Sequence, residues 1–374
     1  DFSLRYAKAF NDKFAFKITG NYLQANDWHA SDFRDRTDLN DPALTRESNP
    51  GYDGVNVYGD DIIVPVNLKD VAPSIAEAIA ESQGIAPGTP EYDELYNRVI
   101  DAFPDQVVSR TGWEEKHLAD YNTTNLKLGG ALHYRITENL EAIAQGNFSK
   151  GTSLYTAQNR FSIRDFGIGI GKLELKSRDF FLRTWAVVEE SGNSFDVGGA
   201  ALRLNEAWKS SEQWYTDYIG SFGQSVLLGS EEDDAHEFAR MVADNRDKFG
   251  NIFAPGQAAI PLPDTEEFNT LYEEIINKPV VDGGAKVIDR SKLWHIEGMY
   301  NLSNKLKIVD LVAGASYRIY WIDSQGTVFA DTPGNPITYS IFGAYAQLSK
   351  AFWSERFKAS ISTRYDKHEM FEGE

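Results

Sequence analysis

Residues 124–136 read TNLKLGGALHYRI, and their side chains alternate between two kinds. One face of an extended chain would carry Leu126, Leu128, Gly130, Leu132, Tyr134 and Ile136. The other face would carry Asn125, Lys127, His133 and Arg135. Because successive side chains of a strand point to opposite faces, this pattern predicts a β-strand with one apolar and one polar face.

Short polar connections join runs of this kind in pairs. Thr137 and Glu138 separate residues 121–136 from the next alternating run at 139–150. Four further pairs follow the same rule: 2–10 with 13–28, 172–176 with 180–189, 292–302 with 307–322, and 338–350 with 357–366. Such connections are typical of antiparallel hairpins, so the chain is expected to contain about ten strands.

The other connections are much longer. Two cover about 29–120 and 190–291, and two shorter ones cover about 151–171 and 323–337. Tight turns and long loops therefore alternate, which places all tight turns at one end of the strands and all long loops at the other. Transmembrane β-barrels segregate their connections in this way, whereas soluble sandwiches scatter them.

Composition alone gives a different impression. The 374 residues include no cysteine and carry a formal charge of −19, with a mean hydropathy of −0.42. These values exclude disulfide and thiol chemistry and argue against nucleic-acid binding. Alternation by itself favours a soluble, half-buried sheet. Strands of 12–16 residues, aromatic residues near strand ends and the segregated loops favour a transmembrane barrel instead.

The long connections carry helix signals. Thr89 followed by Pro90 is typical of a helix start, and Thr265 or Asp264 opens a second apolar stripe that ends before Pro279. Ser230 with Asp233 resembles a capping box, and the stripe after it ends before Gly250. A fourth segment, near 199–222, is rich in aromatic residues. The fold class predicted is therefore all-β, an antiparallel transmembrane β-barrel segment of about ten strands with long, partly helical extracellular loops.

Several stretches resemble one family. They are residues 5–17 (RYAKAFNDKFAFK) with 22–28, 283–286 (GGAK), 289–293 (DRSKL), 297–301 (EGMYN), 314–320 (GASYRIY), 324–329 (SQGTVF) and 364–367 (RYDK). Together they resemble hairpins of TonB-dependent outer-membrane receptors of the Bacteroidetes type, SusC-like or related. The resemblance covers most of the chain and is weak across the two long loops.

The resemblance implies a twenty-two-stranded barrel with an N-terminal plug that contacts TonB. Residues 1–374 would form a central part of that one barrel domain, without the plug or the barrel ends. The implied function is active import across the cell outer membrane of a ligand too large for porins, either an oligosaccharide, a peptide or a chelate. Implied partners are the TonB complex, outer-membrane lipid and, for SusC-like members, a surface lipoprotein lid.

Two sets of side chains are candidates for ligand contact. The polar faces of the strands would line the lumen, with candidates Lys17, Lys127, Arg135, Glu141, Glu174, Arg183, Glu297, Arg318 and Arg364. In such a wall, charge and hydrogen-bonding groups set selectivity; the alternatives are hydration or plug contact. Loop candidates for stacking on a ligand are Trp113, Trp208, Trp214 and Tyr218. Their alternative role is to anchor a loop core.

No catalytic arrangement emerges from the sequence, so no enzyme activity and no cofactor are predicted. The six histidines lack metal-ligand spacing, and no metal site is predicted. The acidic run at 231–234 fits a helix start better than a calcium site, and the glycine-rich run at 167–171 precedes no helix. Two alternatives to transport stay open: an outer-membrane barrel enzyme and a soluble glycan-binding β protein.

Overall fold

A computed structural model describes residues 1–61, 65–157, 159–306, 308–354 and 356–371. Ten long strands form one antiparallel sheet in chain order. They are β1 (Phe2–Ala9), β2 (Phe14–Asn26), β3 (Asn122–Thr137), β4 (Leu140–Thr156), β5 (Arg160–Ser177), β6 (Phe180–Glu190), β7 (Lys292–Asn301), β8 (Asp310–Ile322), β9 (Ile337–Phe352) and β10 (Phe357–His368). The prediction of about ten antiparallel strands is confirmed.

The connections differ at the two edges of the sheet. At one edge the strands are joined by residues 10–13, 138–139, 178–179, 302–309 and 353–356. At the other they are joined by 27–121, 157–159, 191–291 and 323–336. We call the end of the strands with the short connections the turn edge of the sheet, and the opposite end of the strands the loop edge. Both of the longest connections leave from the loop edge.

One expected loop is instead part of the sheet. Residues 151–171 were expected to connect two strands, but β4 continues to Thr156 and β5 begins at Arg160. Leu154 and Tyr155 pair with Ser162 and Phe161 across this hairpin, beyond a bulge at 151–153. The aromatic side chains of Tyr155 and Phe161 favour extended backbone. The glycine-rich run at 167–171 lies inside β5, where it is no phosphate-binding loop.

The register places polar and apolar side chains on opposite faces of the sheet. One cross-strand row, from β2 to β8, contains Lys17, Ala131, Gln145, Lys172, Trp185, His295 and Arg318. The next residue on each strand belongs to the other face, where a row contains Phe16, Leu132, Ala144, Leu173, Thr184, Ile296 and Tyr317. On that apolar face Leu173 is 61% exposed and Leu132 is 52% exposed.

Six helices occupy the two long connections. Residues 27–121 contain α1 (Leu68–Gln83) and α2 (Pro90–Ala102), and residues 191–291 contain α3 (Val197–Trp208), α4 (Ser211–Leu227), α5 (Glu232–Asp244) and α6 (Glu266–Asn277). Thr89 and Thr265 cap α2 and α6, as the sequence predicts. Asn245 ends α5 in a left-handed conformation, five residues before the expected stop at Gly250. No helix in the described residues is long and apolar enough to cross a membrane.

These helices share one hydrophobic core, and together we call the two connections the loop module. Every residue of the main core cluster comes from residues 58–118 or 195–285. Contacts join α1 to α2, α2 to α4, α4 to α5, and α3 to α6, so both connections contribute to the core. Among the described residues, the ten long strands add none to this cluster. The fold is therefore a sheet that contributes no residue to the main core, with a globular module that has its own core at the loop edge.

The first test concerns the core of the loop module. Trp214 is fully buried, and its indole N–H donates to Asp244 Oδ1 over 2.8 Å. We expect Trp214→Ala to destabilise the module by about 3–5 kcal/mol because it leaves a large cavity. Hydrogen exchange should then rise in α1–α6 together, in both connections, and not in the strands.

Phe249→Ala is the matched control, because Phe249 is 79% exposed in the same module. It should leave the exchange pattern unchanged. An increase confined to residues 191–291 in Trp214→Ala would contradict a core shared by both connections.

Candidate functional site

The nine wall candidates all lie on the polar face of the sheet. Lys17 and Arg318 belong to the row that also contains Lys172, Trp185 and His295. Glu174, Arg183 and Glu297 are direct neighbours in the adjacent row, and Arg135, Glu141 and Arg364 lie in the row beyond it. Lys127 lies in a row nearer the loop edge, between Asn21 and Ser149.

Several charged side chains on this face form ion pairs. Arg183 forms an ion pair with Glu297, Lys172 Nζ lies 2.8 Å from Glu174 Oε2, and His133 Nδ1 lies 2.7 Å from Glu141 Oε1. Arg364 pairs with Asp366 within β10, over 2.6 Å. Lys17, Lys127, Arg135 and Arg318 form no ion pair in the described residues, so this face keeps unpaired cations beside its paired charges.

The centre of the polar face carries an aromatic cluster. The Trp185 ring stacks on His295 with 3.9 Å between centroids, and Arg183 lies over Phe181 at 4.5 Å. His295 is almost fully buried, and its Nε2 has no hydrogen-bond partner, although Glu297 Oε2 lies 3.7 Å away. Neither ring is among the predicted contacts: the sequence places His295 on the polar face of β7 without a role, and Trp185 interrupts the polar alternation of β6.

The four aromatic loop candidates are core residues of the loop module. Trp113, Trp208, Trp214 and Tyr218 are all at least nine-tenths buried. The indole N–H of Trp113 donates to Pro261 O over 3.1 Å, and that of Trp208 donates to Asn205 Oδ1 over 2.9 Å. Their faces and polar atoms are occupied by protein, which favours the alternative role as anchors of the loop core.

Hydrogen bonds from arginine side chains to backbone carbonyls hold the two connections together. Arg110 of the first connection donates to the carbonyls of Asn205 and Lys209 in the second, over 3.1 and 2.9 Å. Arg240 of α5 donates to the carbonyls of Pro50 and Ser109 over 2.9 and 3.1 Å. Such bonds fix one arrangement of the two connections, because each lost partner would leave a buried charged donor unsatisfied.

A buried carboxylate attaches the loop module to the sheet. Glu115 is fully buried and accepts hydrogen bonds from Arg160, the first residue of β5, at 3.1 Å to Nε and 3.0 Å to Nη2. The hydroxyls of Tyr58 and Tyr121 also donate to it, over 2.8 and 3.2 Å. Four donors on one carboxylate offset the cost of burying its charge.

Burial shifts the pKa values of an ion pair inside the module. Burial raises the pKa of Asp60 to about 7, although Arg46 lies 2.9 Å from its Oδ2. Burial likewise lowers the pKa of Arg46 to about 10, and the nearby Arg240 adds to that effect. Both directions have the same cause, the loss of water around the pair.

The described residues hold no group of three or more histidine, cysteine, aspartate or glutamate side chains placed to bind a metal ion. The acidic run at 231–234 lies at the start of α5, where carboxylates interact favourably with the helix dipole.

No family model and no curated protein matches the chain. Among solved structures it is similar to two variants of the ferric enterobactin receptor PfeA of Pseudomonas aeruginosa, each at 11% identity and a TM-score of 0.38. That similarity covers 98% of this chain and 36% of the receptor, so the chain spans about a third of the receptor's length. OccAB3 of Acinetobacter baumannii is similar at 10% identity and a TM-score of 0.27, over 97% of this chain and 61% of that one.

The pH response of the loop module tests its buried histidine. His236 is buried, its Nδ1 lies 2.9 Å from the Tyr218 hydroxyl, and its Nε2 has no hydrogen-bond partner, although Glu232 Oε1 lies 3.8 Å away. Burial, helped by Arg240, lowers its pKa from 6.5 to about 4. Below pH 6.5 His236 therefore binds a proton in the unfolded chain but stays neutral in the folded module. The contribution of His236 to stability should be lost as the pH falls from 6.5 to about 4.

Hydrogen exchange of α4 and α5, followed across this pH range, measures the effect. His236→Phe should lack the part of the decline that His236 causes, so the wild-type and variant curves should diverge towards acidic pH. Parallel curves would show that the ring does not titrate as burial requires.

Proposed function

We propose that the chain forms barrel wall and surface loops of a TonB-dependent receptor in the bacterial outer membrane. The receptor would import a ligand too large for porins, with energy supplied by TonB through parts of the protein outside this chain. One observation carries the proposal: ten long antiparallel strands expose a continuous apolar face and lack a core beneath it.

The exposed face favours lipid over water. Leu132, Leu173 and Ile361 are each more than half exposed. A soluble sheet covers such a face with a second layer, but the packed apolar residues here belong to the loop module. In a bilayer the same face would contact acyl chains, and every interior backbone group would be satisfied by a neighbouring strand.

Strand length and loop placement support the same arrangement. A tilted transmembrane strand needs about 9–11 residues, and β3, β4, β5 and β9 have between 16 and 18. Such strands would span the bilayer and extend beyond it. Barrels of this kind place short turns at the periplasm and long loops outside the cell, so the loop module would face the exterior.

The loop module and the rest of the chain also differ in net charge. Residues 27–121 contain 20 acidic and 7 basic side chains, and residues 191–291 contain 18 and 8. The rest of the chain contains 18 acidic and 22 basic ones. The overall charge of −19 therefore comes from the loop module, and its field would steer cationic or neutral ligands towards the barrel more readily than polyanions.

The residues quoted for the family resemblance supply the finer part of the proposal. They support a receptor of the SusC-like or a related type, with a plug and up to twenty-two strands in the complete protein. A surface lipoprotein lid is a further partner that this resemblance suggests. The wall candidates from Lys17 to Arg364 are proposed to line the lumen.

The proposal is tested with the complete protein in its own cells. Deleting its gene should abolish growth on the ligand as sole nutrient source, in a panel of oligosaccharides, peptides and iron chelates. Complementation should restore growth, and complementation without the N-terminal TonB-contacting segment should not. Uptake at the wild-type rate without that segment would contradict energy-coupled import, and a protein soluble without detergent would contradict both barrel functions.

Membrane orientation of the two faces is tested by charge placement. Leu173→Arg introduces a cation on the apolar face, whereas Gln145→Arg introduces one in the polar row that contains Lys172. An arginine on the lipid face near the bilayer midplane costs about 2–4 kcal/mol, whereas lumen positions tolerate charge.

The measurement is the free energy of unfolding in urea after refolding into lipid vesicles. We expect a large loss for Leu173→Arg and little change for Gln145→Arg. Equal effects of the two substitutions would show that the apolar face does not contact lipid.

A further inference from the structure

A cavity of about 590 Å³ opens where the loop module meets the hairpin of β4 and β5. Its wall comes from three separate parts of the chain, the first connection near 28–61, the hairpin near 156–160 and the start of α3 near 196–202. The lining includes Trp28, Arg36, Asp61, Asn159, Arg160 and Asp196. None of these residues belongs to the wall or loop candidates described above.

Both arginines of the cavity are already paired with carboxylates. Arg36 Nη1 lies 3.0 Å from Asp61 Oδ1 and 3.1 Å from Asp53 Oδ1. Arg160 is held by the buried Glu115. The two guanidinium groups are therefore paired with three carboxylates, Asp53, Asp61 and Glu115. Among the described residues that line the cavity, no unpaired cation is available for an anionic ligand.

Asp196 also lines the cavity and, unlike Asp61, forms no ion pair with any described residue. It lies at the start of α3, but its side chain makes no capping hydrogen bond to that helix. Its Oδ2 accepts one hydrogen bond, 2.8 Å from the exposed Asn159 amide, and its Oδ1 is buried without a hydrogen-bond partner. A buried unpaired carboxylate oxygen is costly, and an incoming charged donor would remove that cost.

Trp28 supplies an open aromatic surface at the same cavity. Its side chain is 71% exposed, in contrast to the buried tryptophans of the loop core. The backbone beside it is anchored, because Asp27 N–H donates to Tyr121 O over 2.7 Å and Asp27 Oδ2 accepts from Leu154 N–H over 3.0 Å. An indole face attracts cations and packs on the carbons that carry them.

We propose that this cavity binds a ligand through a primary ammonium group, with Asp196 as its counter-ion and Trp28 as its packing surface. The acidic loop module around it would concentrate such cations near the cavity. The inference rests on the proposed import function only for its physiological setting, because binding is measurable on purified protein without transport.

The test compares amines with their acetylated counterparts. Isothermal titration of the detergent-solubilised complete protein, at mildly acidic pH, uses the glucosamine trisaccharide and its N-acetylated form, and trilysine with its form acetylated at all four amino groups. We expect each amine to bind at least about tenfold more tightly than its acetylated form, and to weaken with added salt. The tighter of the two amines identifies the source as amino sugar or basic peptide.

Variants locate the binding. Asp196→Asn should weaken amine binding by about tenfold or more, because asparagine keeps the shape and the helix-start preference of aspartate but not its charge. Trp28→Ala should weaken it as well. Asp70→Asn, which removes one exposed charge from α1, and Phe249→Ala serve as matched controls and should bind normally.

Equal binding of amines and acetylated forms, no binding of either amine, or unchanged binding by Asp196→Asn would each overturn the ammonium site. These outcomes are distinct from failure of the proposed function. Loss of uptake in cells with intact amine binding would count against transport alone, and intact uptake with no amine binding would count against this site alone.

Discussion

Backbone hydrogen bonding between long neighbouring strands is the constraint on which this architecture depends. The strands pair in an unbroken order from β1 to β10, so each of β2 to β9 bonds its backbone to a neighbour on both sides. Because this ladder does not require a packed core, one face can be apolar and still remain uncovered by protein. Such a sheet gains stability only where its apolar face leaves water, which is the physical reason for placing it in a membrane.

The loop module, unlike the sheet, is held together by a hydrophobic core and by hydrogen bonds between its two connections. The two connections are separated in the sequence by the four strands β3 to β6, yet they share one core of alanines, aromatics and branched residues. Hydrogen bonds from Arg110 and Arg240 cross between the connections, and Glu115 joins the module to β5 through Arg160. These contacts position the module at the loop edge of the sheet.

Much of the sheet could be predicted from the sequence, because period-2 alternation and short polar turns are local signals. The residues of the polar face followed from the same alternation. The β4–β5 hairpin was missed because the glycines at 167–171 suggest a loop, and only pairing with β4 and β6 keeps them extended. Helix α1 was missed because its buried stripe consists largely of Ala72, Ala76 and Ala80, whose small side chains give a weak signal. The cavity could not be predicted, since its wall joins segments far apart in sequence and depends on how the module is seated.

In the proposed barrel the two faces of the sheet meet lipid and water respectively, and because this chain contains no cysteine, single introduced cysteines can measure the surroundings of each face. Single cysteines at positions 172–175 of β5, two on each face, are labelled with a fluorophore in the complete protein reconstituted in vesicles. Brominated lipid should quench labels at Leu173 and Leu175, and an aqueous quencher should act on labels at Lys172 and Glu174. Quenching by brominated lipid that is uniform along β5, or absent at all four positions, would contradict the barrel account.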